Sequence, residues 1–390
     1  MILDAGVAEA HEFGLDRIAL RSVVRRCDLT SGAIYGRYED VDDFVASLWS
    51  ERLSQPTFDL LSEAMAAILA DEVGTDFSDI AQRLANPTPE VALGFEALVV
   101  GRRNDVLGEE VVEEFTAWAE KWGLAASADP HHRVLATVAF AAITGAAVYS
   151  FAEPGLPSWA TILQLVRNVI HETPKSAKKH RTNLEIELPN IVQHFEVQPG
   201  TGEPLRDALI LATANVIGRA GYERTTVSRI GRRARLTGGA VYTRYETKDQ
   251  LIVDTLETLL SGAIVGAQEV SDWGNSSGDV GEALNRIYHL GVTPGRRAWR
   301  QFRLETYLAS RTRPEPRETL RHIHSVATPR YQTLIDATGT TPTGVVALMA
   351  RGGQSIPLGL SLLECYVSDL ETLDFHAYAK TLYETLRQIS

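Results

Sequence analysis

Apolar positions recur along almost the whole chain at the spacing of α-helices. In the C-terminal half, Leu209, Ala212, Val216 and Ile217 mark one face of a helix that Gly221 should stop. Val227, Ile230 and Ala234 mark a second helix that Thr226 can cap, and Leu236 fills the turn after it. Thr237 can cap a short third helix, with Val241 and Tyr245 facing inward and Gly238, Gly239, Tyr242, Thr243 and Arg244 facing outward. Long apolar helical patterns follow at 131–152, 158–172, 343–366 and 374–389. Alternating strand patterns are absent except for a few residues around Leu184 to Val192, so the pattern predicts an all-α fold.

The same pattern occurs twice. RIALRSVVRRCDLTSGAIYGRY, from Arg17 to Tyr38, aligns without a gap on RTTVSRIGRRARLTGGAVYTRY, from Arg224 to Tyr245. One offset, 207 residues, relates Gly14 to Gly221, Arg25 to Arg232 and Tyr38 to Tyr245, and chance similarity would not hold one register so long. A weaker likeness relates Glu96–Arg102 to Glu305–Arg311 at an offset of 209. Between the copies, 173–204 carries Lys175, Lys178, Lys179 and Arg181, then Pro189, Pro199, Gly200, Gly202 and Pro204, and reads as a linker.

A short helix held on two others is how a helix-turn-helix presents side chains to the major groove. Gly238 and Gly239 let the start of that helix approach phosphate closely. Tyr242 and Lys248 can bond to phosphate, and Thr243 and Arg244 can reach base edges or backbone. In the first copy the matching positions are Thr30, Ser31, Gly32, Tyr35 and Arg37. The order from Leu236 to Leu251, LTGGAVYTRYETKDQL, resembles the recognition helix of TetR-family regulators followed by the lysine that opens helix four, and Leu29 to Phe44 matches it. The resemblance implies two copies, each a helix-turn-helix unit (1–46 and 205–252) followed by a helical ligand and dimerisation domain (47–172 and 253–390). It further implies a double-stranded DNA operator, a small-molecule effector, repression, and last helices that pair either within one chain or between two.

Charge separates the copies. Glu12 to Val41 holds five arginines and five acids, whereas Arg219 to Lys248 holds seven arginines and one lysine against two acids. Glu9 and Ala10 stand where the second copy has Val216 and Ile217, Ala19 replaces Thr226, and Val41 replaces Lys248. The second copy should therefore supply most of the phosphate attraction, even though the whole chain carries a net charge of −12. A regulator relative that has lost DNA binding and serves as a partner protein or ligand sink is the competing reading.

Cys27 and Cys365 are too few for a disulfide framework or a clustered metal site and read as reduced core residues. The sequence holds no glycine-rich phosphate loop, nucleophile elbow or metal-ligand spacing, so no enzymatic activity and no cofactor are expected. Without a run of about 18 apolar residues or a signal-peptide pattern, a cytoplasmic location with no membrane partner is expected. Phe95, Trp118, Trp122, Trp299, Phe302, Tyr307, His322 and His324 lie in the middle helices where an effector would sit, although aromatics at such spacing are more often core.

Overall fold

A computed structural model describes residues 1–29, 31–71, 74–174, 198–277, 279–335 and 343–389. Every regular element among them is a helix. The N-terminal half runs α1 (Ile2–Phe13), α2 (Leu20–Arg26), α3 (Ser31–Tyr35), α4 (Val41–Leu48), α5 (Ser54–Leu69), α6 (Ser78–Ala85), α7 (Pro89–Val100), α8 (Asp105–Lys121), α9 (Pro130–Ser150) and α10 (Trp159–Glu172). The C-terminal half runs α11 (Pro204–Ala220), α12 (Val227–Arg233), α13 (Gly238–Tyr242), α14 (Lys248–Ser277), α15 (Val280–Leu290), α16 (Arg297–Ser310), α17 (Pro314–Ile335), α18 (Thr343–Leu363) and α19 (His376–Ile389). The basic run of the linker and the strand-like stretch at 184–192 lie outside the described residues.

Local chemistry sets the boundaries. Thr88, Asn104, Asp129 and Asp279 each accept a backbone N–H of the helix they precede, and Pro89 and Pro130 add the fixed φ suited to a first helical turn. A five-residue π-helical turn, Trp49–Leu53, joins α4 to α5, so helix runs through the 46/47 position, as α14 runs through 252/253. Neither unit is separated from its body by a loop at those points.

The core sits where the two halves meet. α9 is apolar and long enough to cross a membrane, but 94% of its apolar window is buried inside the protein. It lies along α18, and two glycines permit the approach: a Cβ on Gly145 would fall 2.1 Å from the Ser355 carbonyl oxygen, and one on Gly359 would fall 2.1 Å from that of Ala141. α10 packs on α19, and α16 contacts both α7 and α9.

Ion pairs cross the same boundary. Arg102 pairs with Glu305 at 2.9 Å and Arg311 with Glu96 at 2.6 Å, with all four side chains largely or wholly buried. His324 sits between the halves: its Nε2 lies 2.6 Å from the Tyr307 hydroxyl, its Nδ1 meets Glu153, and its ring stacks on Tyr149. Phe95, Trp118, Trp299, Phe302, Tyr307 and His324 are thus buried packing residues, Trp122 is partly buried, and His322 is exposed. Cys27 and Cys365 are free, and burial pushes the Cys365 thiol up to about 11.

Candidate nucleic-acid interface

α11 faces two ways. Ile210, Ala214 and Ile217 join the main core, while Leu209 and Ala212 join Ile230, Val241, Tyr245 and Leu251 in a separate small core. The helix stops at Gly221, whose φ of 84° is left-handed and whose bare Cα leaves room for the Arg103 guanidinium. Thr225 donates its hydroxyl to the Gly221 carbonyl (2.7 Å), and Thr226 accepts the Arg229 N–H, capping α12. Arg235 then takes a φ of 59°, Leu236 N–H bonds back to the Gly231 carbonyl at 2.8 Å, and Thr237 accepts the Ala240 N–H to cap α13. Three residue-specific devices therefore hold α13 at one angle. They leave Gly239, Tyr242, Thr243 and Arg244 exposed, as the periodicity predicted.

The N-terminal unit repeats the backbone. Gly14 has a φ of 93°, Asp28 a φ of 55°, and Leu29 N–H bonds to the Val24 carbonyl, each at the 207-residue counterpart of the features just described. Tyr35 is 53% exposed and Gly32 is exposed, whereas Thr30 lies outside the described residues and Ser31 opens α3. Ala19 makes no cap bond.

Charges differ more than backbones. Glu9, 4% exposed, accepts from Arg26 at 2.6 Å, and Arg26 also reaches Glu12, so a carboxylate on an apolar face is matched by an arginine of α2. The corresponding Arg233 bonds instead to the neutral Asn215. Arg37 lies over the Tyr38 ring. Lys248 turns inward, its ammonium 5.0 Å from the centre of the Tyr222 ring and 3.5 Å from the Tyr222 carbonyl oxygen. Arg244 pairs with Glu203 at 2.6 Å. Nothing in the composition around Glu203 singled it out, because it lies in the proline- and glycine-rich stretch read as linker.

Two further nodes tie the units to the bodies. Asp16 accepts from Arg103, which also bonds Glu305, and Arg224 lies 3.5 Å from the same Asp16. Burial alone would lower the Arg103 pKa, but Glu305 and Asp16 outweigh it and hold the guanidinium well above its usual range. Glu96 accepts the Leu15 N–H at 2.7 Å, while Arg311 bonds the Ala10 and His11 carbonyls at the end of α1. Spacing alone does not show these contacts, since the partners lie from about 80 to 300 residues apart.

Among the described residues no group of three or more His, Cys, Asp or Glu could hold a metal ion. No curated protein matches the chain. Residues 209–255, which span the C-terminal unit from within α11 into α14, match the family of bacterial regulatory proteins, tetR family, so this segment is similar to the DNA-binding part of transcription regulators of that kind.

Proposed function

We propose that the chain is a sequence-specific, ligand-responsive DNA-binding repressor in which two tandem copies pair with each other, so that one chain offers two recognition helices, α3 and α13, to an imperfect palindrome. One observation carries the pairing. Gly145 meets Ser355 while Gly359 meets Ala141, and an offset of 214 residues converts the first contact into the second. Arg102–Glu305 and Arg311–Glu96 are exchanged in the same way by an offset of 209. A reciprocal contact of this kind is the signature of a twofold interface.

In this reading Tyr242, Thr243 and Arg244, with Tyr35 and Arg37 in the other unit, face the DNA. Thr226 and Thr237 set the angle of the reading helix α13, and Gly32, Gly238 and Gly239 leave space for the phosphate backbone. Lys248 holds the α11–α12 corner through Tyr222 and keeps further N–H groups for phosphate. Effector response and repression are carried over from the likeness of residues 209–255 to regulators of this kind.

Selection of bound sequences from random duplexes tests this, with the mass of the complex measured on the best site. A palindromic site carrying one chain is the expected result. Two chains on one site would mean that pairing runs between molecules, and no enrichment would favour the partner or ligand-sink reading.

A further inference from the structure

An exposed carboxylate beside a unit that must approach phosphate is out of place electrostatically, and Glu203 is such a group. Its position is nevertheless fixed. Asp207 accepts from both the N–H and the hydroxyl of Thr201, and the Glu203 N–H bonds to the Thr201 hydroxyl oxygen, which folds this segment over the first turn of α11. From there Glu203 holds Arg244 through Nη1 at 2.6 Å and lies 3.9 Å from Arg206. Arg206 forks onto Asp254 of α14 at 2.6 and 3.0 Å, and Asp254 accepts the hydroxyl of Tyr245 next to Arg244. The chain of contacts closes from Glu203 through Arg244, Tyr245, Asp254 and Arg206 back to Glu203, linking the start of α11, the end of the recognition segment and α14.

Two of these partners differ in the N-terminal unit. Ser47 stands at the register of Asp254, and among the described residues the buried Tyr38 hydroxyl has no hydrogen-bond partner. Arg37 lies over the Tyr38 ring, 5.7 Å from its centre.

Exposed ion pairs add little to stability, so holding the fold together does not account for this one. A guanidinium held by Glu203 at one nitrogen and set beside the Tyr245 hydroxyl still has further N–H donors in its planar fork, and its charge is largely matched. Such an arginine gains little from an extra phosphate but retains the donor geometry that fits the O6 and N7 acceptors of guanine. Resting on the DNA-binding reading above, we propose that Glu203 is a specificity-determining, positioning residue that holds Arg244 to read a guanine in the major groove instead of a phosphate.

The test is a set of titrations of wild type, Glu203→Gln, Glu203→Asp and Arg244→Ala. Each is run at several salt concentrations against the selected site, its single-base-pair variants and a random duplex. Glu203→Gln should bind the random duplex several-fold more tightly, with a salt slope steeper by about one phosphate contact. Its discrimination at one G·C pair should fall roughly tenfold or more, the pair at which Arg244→Ala also loses discrimination. Glu203→Asp should restore part of it. The proposal is overturned if Glu203→Gln discriminates at every position as wild type does. It is equally overturned if Arg244→Ala weakens binding uniformly on all duplexes with a shallower salt slope, which would make Arg244 a phosphate contact. Wild type without any sequence preference would instead remove the DNA-binding reading on which the proposal stands.

Discussion

The apolar residues of the N-terminal unit run without a break into the main core, whereas Leu209, Ala212, Ile230, Val241, Tyr245 and Leu251 form a small core of their own. The two units share a backbone, down to left-handed residues at Asp28 and Arg235, yet differ in what holds them. The N-terminal unit is clamped from the other half by Arg311 on the carbonyl end of α1, and its α2 arginine is matched by acids of α1. The C-terminal unit touches the body mainly through one face of α11, and its arginines outnumber its acids. The N-terminal unit is thus the more firmly held of the two, while the C-terminal unit carries the net positive charge.

The clamp gives the largest expected effect. Arg311→Ala leaves Glu96 buried with only the Leu15 N–H, and breaking a buried pair of this kind costs about 3–5 kcal/mol. Its counterpart Arg102→Ala should cost clearly less, because Glu305 keeps Arg103. Denaturant unfolding of both variants measures the difference, and hydrogen exchange should show α1 amides losing protection only in Arg311→Ala. Equal losses would mean that the N-terminal unit is not anchored from the other half.

Binding should separate the units next. Arg244→Ala is expected to weaken binding to the selected site roughly 10- to 100-fold, and Arg37→Ala by less than about threefold. Equal losses would show that net charge within each unit does not decide which one reads. A third comparison needs no substitution. A unit with a small separate core opens more readily than one continuous with the main core, so amides of α12 and α13 should exchange before those of α2 and α3. The reverse order would mean that the N-terminal unit is the less firmly held, while leaving the charge difference in place.

Much of this comparison was legible in the residues because it is local. Helix stops at Gly14 and Gly221, the caps at Thr226 and Thr237, and the inward Val241 and Tyr245 all follow from spacing and residue type. Burial of a carboxylate was not legible. Glu9 looked like a break in an apolar face, yet Arg26, 17 residues on, reaches back to it. The position of Lys248 allows a phosphate contact, but its contact with the Tyr222 ring and carbonyl, 26 residues earlier, does not follow from spacing. The contacts that set each unit's freedom, Arg311 on α1 and Glu203 on Arg244, join segments that no periodicity relates.

The smallest effect is the sharpest test of whether the units remain interchangeable in backbone. Thr226 accepts the Arg229 N–H at the start of α12, and Ala19, its counterpart at α2, has the same extended backbone, φ −127° in both, without a side-chain acceptor. Thr226→Ala should destabilise the C-terminal unit by about 1 kcal/mol, and Ala19→Thr should stabilise the N-terminal unit by a similar or slightly smaller amount, about 0.5–1 kcal/mol. The first should appear in exchange of α12 and α13 amides alone, because their small core is separate. The second should raise the global unfolding midpoint, because α2 is continuous with the main core. If Ala19→Thr instead protected only α2, the N-terminal unit would open locally as the other does, and the difference between them would reduce to charge.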